Sequence, residues 1–132
     1  MKLDRKGFRQ GLRLATVAFA LLAQLGIAHA ADEWTMEERT SFAMSSVLLV
    51  ADWAQTRQVA RNPDALREIN PILGTTPSMG RVNAYFGTAL LLNYVIGNSL
   101  APGWRRAWFV SVGTVEANVV QRNLSIGLNV SF

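Results

Sequence analysis

Residues 82–101, VNAYFGTALLLNYVIGNSLA, hold no charged side chain, and only the amides Asn83, Asn93 and Asn98 with Thr88 and Ser99 interrupt the stretch. A membrane's hydrocarbon core is crossed by about 20 predominantly apolar residues, so this length suits a span. The spacing predicts a helix over 79–99, with Ser78 as its N-cap and a tight turn at Pro102-Gly103 after it. Ala84, Gly87 and Ala89 are small enough to let a second helix approach closely.

Toward the N-terminus, Thr35-Met36-Glu37-Glu38 has the form of a capping box, Thr35 at the N-cap and Glu38 at the third helical position. It predicts a helix over 36–60. The apolar part of that helix, 42–54, is short and includes Ser45, Ser46 and Asp52. It spans a bilayer only if neighbouring helices cover its polar end. Arg61-Asn62-Pro63 stops the helix, 64–68 is expected to form a short helical turn, and Pro71 holds Asn70 extended. A third apolar segment, 107–120, is rich in Val, contains Glu116 and is expected to be helical.

Beyond it, Leu124, Ile126, Leu128, Val130 and Phe132 alternate with Ser125, Gly127, Asn129 and Ser131. That is the period of a half-buried strand. It reads as an extended tail packed on the helices, or as a strand of a small hairpin. A final Phe after alternation also resembles the last strand of an outer-membrane barrel, but the chain lacks the repeated alternating segments of about ten residues that a barrel needs. The expected fold class is all-α: a small bundle of about three helices with an extended C-terminal tail, in one domain over 31–132.

The N-terminal 1–30 has the layout of a secretory signal peptide. Lys2, Arg5, Lys6, Arg9 and Arg13 precede an apolar run over 14–27, and Ala28-His29-Ala30 is a small-x-small cleavage site. The alternative is an uncleaved anchor. Cleavage transforms the charge balance. The whole chain nets +4, and the segment before the apolar run accounts for all of it. The exported portion has eight Arg against eight acids, so the basicity that nucleic-acid binding needs belongs to the leader. No nucleic-acid partner is expected.

There is no Cys, the only His is His29, and both Lys residues lie in the leader. The exported portion therefore excludes the usual zinc sites, Cys nucleophiles, His bases and Schiff-base chemistry. Catalysis there would rest on carboxylates, hydroxyls or Arg. No Gly-rich phosphate loop, G-x-S-x-G elbow or internal repeat is present. Two sequons, at Asn123 and Asn129, carry little weight in so short a chain.

Two polar runs remain as candidate chemistry: Asp52-Trp53-Ala54-Gln55-Thr56, and Glu68-Ile69-Asn70-Pro71. Polar and ionisable groups beside membrane-like segments are costly and usually have a reason to be there. Asp52 and Thr56 share a helix face with Gln55 beside them. If the bundle folds compactly, Asp52, Gln55, Thr56, Glu68, Asn70, Asn93 and Glu116 converge. Such a cluster suits a cation held by oxygen ligands or a polar headgroup. The structural alternative is a network that locks helices together, for example Asp52 or Glu116 with Arg57 or Arg122. Trp53, Trp104, Trp108 and Tyr85 fit interfacial anchors or core packing equally, and Arg105-Arg106 fits lipid headgroups or a solvated turn.

On these residues the chain resembles an uncharacterised group of small bacterial and phage-associated membrane proteins. Their pattern, D-x-x-Q-T, a spacer, then E-x-N-P, is met by Asp52, Gln55, Thr56, Glu68, Asn70 and Pro71. The resemblance implies an integral membrane protein and supports the choice of key residues. It implies no substrate or cofactor.

The resulting expectation is an exported inner-membrane protein without enzymatic activity, in contact with lipid and with room for a membrane-protein partner. Arg57, Arg61, Arg67 and Arg81 place the connection between the first two helices on the cytoplasmic side by the positive-inside rule, while Arg105 and Arg106 run against it. The alternatives are a carboxylate-based intramembrane enzyme or cation-binding protein, and a soluble periplasmic envelope-interaction module.

Overall fold

Three helices account for nearly all regular structure in the computed structural model, which describes residues 33–132: α1 (Met36–Arg61), α2 (Met79–Ser99) and α3 (Trp104–Ser125). The signal peptide expected over 1–30, including His29, lies outside the described residues.

Each boundary has a local cause. The Thr35 hydroxyl accepts from the Glu38 backbone N–H, and the Glu38 carboxylate accepts from the Thr35 backbone N–H at 2.8 Å. This is the reciprocal capping box. Asn62 ends α1 by donating its N–H to the carbonyls of Gln58 and Val59, and Pro63 follows. Ser78 caps α2 through the Arg81 N–H. Gly103, at φ +83°, turns the chain into α3, a backbone conformation that favours Gly.

The alternating C-terminal segment forms no strand. Leu124 and Ser125 finish α3, and Gly127 takes a φ of +90°. The Gly127 N–H reaches the Leu124 carbonyl and the Leu128 N–H reaches the Asn123 carbonyl. Those two bonds are a Schellman motif, in which the residue after the glycine packs back onto the helix. Leu128 is accordingly buried. The alternation thus records a helix end, and only the last few residues run on as an irregular tail, with Phe132 edge-on to Trp53. The short helical turn expected over 64–68 is also replaced, by a turn in which Ala65 and Leu66 donate to the Asn62 carbonyl.

Contacts fix the topology as up-down-up. Glu38 near the start of α1 meets Arg105 at the start of α3, and Asp52 meets Asn123 near the ends of both. These two helices run parallel, with α2 antiparallel to them, and α1 packs most extensively on α3. At Gly113 the two backbones come near, and an added Cβ would stand 3.7 Å from the Ser45 Cα. A second tight contact seats the Phe109 ring against Gly97, where a Cβ would fall 2.2 Å from a ring carbon. Of the small residues expected to mediate approach, Ala89 is half-buried and packs against the core, whereas Ala84 and Gly87 are exposed, and nothing lies within 4 Å of a Cβ at Gly87.

The apolar core is small. Leu49, Leu73, Val82 and Phe86 form its centre, with Trp53, Tyr85, Leu90 and Val112 around them. Trp34, Phe42, Tyr94 and Phe109 form an aromatic cluster nearer the start of α1, with ring centroids 5.2–6.0 Å apart. Among the described residues, no helix is long and apolar enough to cross a membrane. For α2, the length is adequate, but Asn83, Asn93 and Asn98 lower its average apolarity.

Candidate functional site

The polar residues inside the bundle fall into separate layers, so the expected single cluster is divided. Glu38, Ser45, Asp52, Gln55, Thr56, Asn93 and Arg105 are all buried.

The first layer joins the start of α1 to the α2–α3 turn. Arg105 is 1% exposed and Glu38 2%. The Arg105 Nη1 meets the Glu38 Oε2 at 3.3 Å, while its Nε and Nη2 donate to the carbonyls of Gly97 at 3.1 Å and Leu100 at 2.9 Å. One guanidinium thus neutralises the carboxylate and donates to two carbonyls at the end of α2, that of Leu100 and that of Gly97, which also accepts from the Leu100 N–H. Trp34 covers it, the guanidinium carbon lying 5.6 Å from the ring centroid. Burial opposes ionisation of Glu38, but hydrogen bonds from the Thr35 backbone and hydroxyl, with the Arg105 charge, outweigh it and hold the carboxyl below its ordinary range. Arg106 pairs with Glu37 at the surface, 2.5 Å apart.

Sequence reasoning overlooked this layer, assigning Arg105 to headgroups or a solvated turn. A signal existed. A cation in the first turn of a helix opposes the helix dipole and therefore calls for a specific partner.

The second layer binds all three helices through Asn93. Its Nδ2 donates to the Ser45 Oγ at 2.9 Å, and the Trp108 Nε1 donates to the Asn93 Oδ1 at 3.1 Å. Asn93 lies two turns along the bundle from Asp52 and does not join the carboxylates.

The third layer contains most of the expected site. The Asp52 Oδ1 accepts from the Asn123 Nδ2 at 3.0 Å and from the Thr56 Oγ1 at 3.4 Å. The Gln55 Nε2 donates to the Val120 carbonyl at 3.4 Å. Glu116 and Glu68 both stand within electrostatic range of Asp52. Asp52, Gln55, Thr56 and Glu116 are therefore brought together, with Glu68 at the margin and Asn123 as a partner the sequence reading did not include. Neither Asp52 nor Glu116 pairs with Arg57 or Arg122. The Arg57 guanidinium lies over the Phe132 ring, 5.3 Å from its centroid, and Arg122 is exposed. The buried Glu116 Oε2 and Gln55 Oε1 have no hydrogen-bond partner among the described residues. Among the described residues, no group of three or more His, Cys, Asp or Glu is arranged to hold a metal ion.

Glu68 and Asn70 act on the loop that contains them. The Glu68 Oε1 accepts from the backbone of Ile69 and Asn70, each at 2.8 Å, and the Asn70 Oδ1 accepts from Ile72 at 2.9 Å. The Asn70 carbonyl accepts from Leu73 and Gly74, whose φ of +76° completes the turn. Such side-chain-to-backbone bonds are characteristic Asx-type turn chemistry. Their product is Leu73, 1% exposed, driven into the core against Leu49, Val82 and Phe86. The E-x-N-P run thus shapes a loop that plugs the bundle.

Of the aromatic residues, Trp53 stacks on Phe86 and donates to Asn83 at 3.0 Å, and Trp108 serves Asn93. Trp104 is 73% exposed at the α2–α3 turn.

No family model matches the chain, and neither a curated protein nor a solved structure shows significant similarity to it. The class defined by fold and site is therefore a three-helix bundle with polar layers between its helices.

Proposed function

We propose that the exported portion is embedded in a membrane and has a structural or accessory role, its polar layers fixing how three lipid-surrounded helices pack. The supporting observation is the inverted placement of polarity. Over 41–56, 82–104 and 107–121 the only charged residues are Asp52 and Glu116, both turned inward. The outward positions of the same stretches include Val47, Leu91 and Val115, each at least 60% exposed, and on α3 also the uncharged polar residues Ser111, Thr114, Asn118 and Gln121. Charges gather beyond them, Glu37, Arg39 and Arg106 at one end and Arg61, Arg67, Arg81 and Arg122 at the other. Polar side chains used as glue between helices, with apolar ones outside, suit a bundle in lipid.

The helices fall short of span apolarity one at a time because hydropathy counts the inward residues too. Packed together, they hide Asn93, Asp52 and Gln55 from the surroundings. The helical parts of these stretches, 15–18 residues each, cover about 22–27 Å at 1.5 Å per residue, a little less than a hydrocarbon core of about 30 Å, a mismatch that local thinning accommodates. The resemblance in the D-x-x-Q-T and E-x-N-P runs agrees with this reading, as does the signal-like leader. Alkaline carbonate extraction of membranes from cells making the tagged chain tests it: the protein is expected in the pellet, and release into the wash contradicts it.

A second reading, a carboxylate site for a cation or for proton chemistry, draws on the convergence of Asp52, Glu116 and Glu68. It predicts that Asp52→Asn leaves yield intact and removes an activity. The structural reading predicts loss of yield.

A further inference from the structure

We propose that the outer face of α2 holds one anionic phospholipid, its acyl chain along the helix and its phosphate on Arg81. A groove of about 580 Å³ runs between Ile72 of the loop and Arg81, Ala84, Tyr85, Thr88 and Leu92 of α2. This is the size range of small-molecule sites. Its lining residues recur at helical spacing, so the groove follows α2 for about 16 Å from Arg81 to Leu92. Leu73 and Ala89 complete its lining.

Polarity along the groove is ordered as in a lipid. The single charge stands at one end, where Arg61, Arg67 and Arg122 also gather, and the remainder is apolar apart from the Thr88 hydroxyl and the Tyr85 phenol. Arg81 is exposed and has no ion-pair partner among the described residues. Its Nη2 donates to the Ile72 carbonyl at 2.6 Å, which fixes the guanidinium over the mouth of the groove. The guanidinium makes no other hydrogen bond among the described residues, and a guanidinium with open donors matches phosphate oxygens. An apolar peptide would fill the groove but leave that charge unmatched, and free phosphate would leave the groove empty.

The inference rests on the membrane reading only for the source of the ligand. The test is native mass spectrometry of the full chain, delipidated in mild detergent and titrated with phosphatidylglycerol, phosphatidylcholine of the same acyl chains, or inorganic phosphate. One phosphatidylglycerol is expected per chain, preferred over phosphatidylcholine about fivefold, the effect of one Arg at an anionic lipid surface. Arg81→Gln is expected to abolish the preference and Arg81→Lys to retain it. Thr88→Trp, which fills the groove without touching Arg81, is expected to abolish both lipid adducts. Equal binding of the two lipids, retained preference in Arg81→Gln, phosphate binding alone, or a change of oligomeric mass in Thr88→Trp with lipid adducts intact would each overturn it. Because the lipids are added to solubilised protein, failure here leaves carbonate extraction of the same chain unaffected.

Discussion

Replacing Arg105 with Met isolates the buried ion pair between the helix ends. The change keeps an apolar stem of similar reach and removes three contacts: Glu38 at 3.3 Å, the Gly97 carbonyl at 3.1 Å and the Leu100 carbonyl at 2.9 Å. Breaking a buried pair from one side costs about 3–5 kcal/mol, because the remaining charge is left uncompensated. Glu38 keeps its donors from Thr35, at 2.8 Å and 3.2 Å, which places the expected loss near the lower end, about 3 kcal/mol. That is a large share of a total stability of about 5–15 kcal/mol. The four Trp residues report unfolding in an SDS titration from mild detergent micelles. Adding Glu38→Leu should restore much of the loss, since an apolar pair in place of a buried ionic one is close to neutral. About 1 kcal/mol should stay missing with the capping box. A loss below about 1 kcal/mol for Arg105→Met, the value of a surface pair, or strict additivity in the double variant, would refute the burial and coupling argued for this layer.

Gly97→Ala should destabilise by about 1–3 kcal/mol in the same assay through overpacking against Phe109, and Phe109→Leu should relieve it. Asn93→Leu removes the side-chain bonds to Ser45 and Trp108, while the Trp108 N–H keeps the carbonyl of residue 93 and the Ser45 hydroxyl keeps the Phe42 carbonyl, so the expected loss is about 1–2 kcal/mol, that of two net hydrogen bonds; stability equal to wild type would remove Asn93 as the link among helices. Asp52→Asn and Glu68→Gln should each lower the amount of folded protein recovered from membranes, by immunoblot, and normal accumulation of both would count against a packing role. The Glu38 carboxyl is held below its ordinary value of 4.5, so its contribution is complete above that pH and is lost as pH falls through the depressed folded value. A pH titration of stability should show this acid limb in wild type and not in Glu38→Gln.

The helices were legible wherever local chemistry marks them. Thr35 with Glu38, Ser78, Asn62-Pro63 and Pro102-Gly103 each punctuate the chain through their own backbone, so α1 and α2 could be bounded without knowing their neighbours. The C-terminal alternation misled because a Schellman turn buries Leu128 from a single helix end, imitating the period of a strand. Within the site, Asp52, Gln55 and Thr56 were legible as one face of one helix. The partition of the remaining polar groups was not, because it depends on the register between helices: Asn93 falls level with Ser45, and Glu116 with Asp52. Arg105 was hardest to place. Its burial follows from the fold of the α2–α3 turn, which presents carbonyls on one side and Glu38 on the other.

Cysteine probes address the central claim most directly, because the chain contains none of its own and each introduced thiol reports one position. Single Cys residues at Val47, Leu91 and Val115 would sample the charge-free belt, and at Arg61, Arg67 and Glu37 the charged ends. A membrane-impermeant maleimide applied to opened membrane vesicles is expected to label the ends rapidly and the belt only after detergent is added. Belt positions that label as fast as the ends before detergent would contradict lipid contact along the bundle.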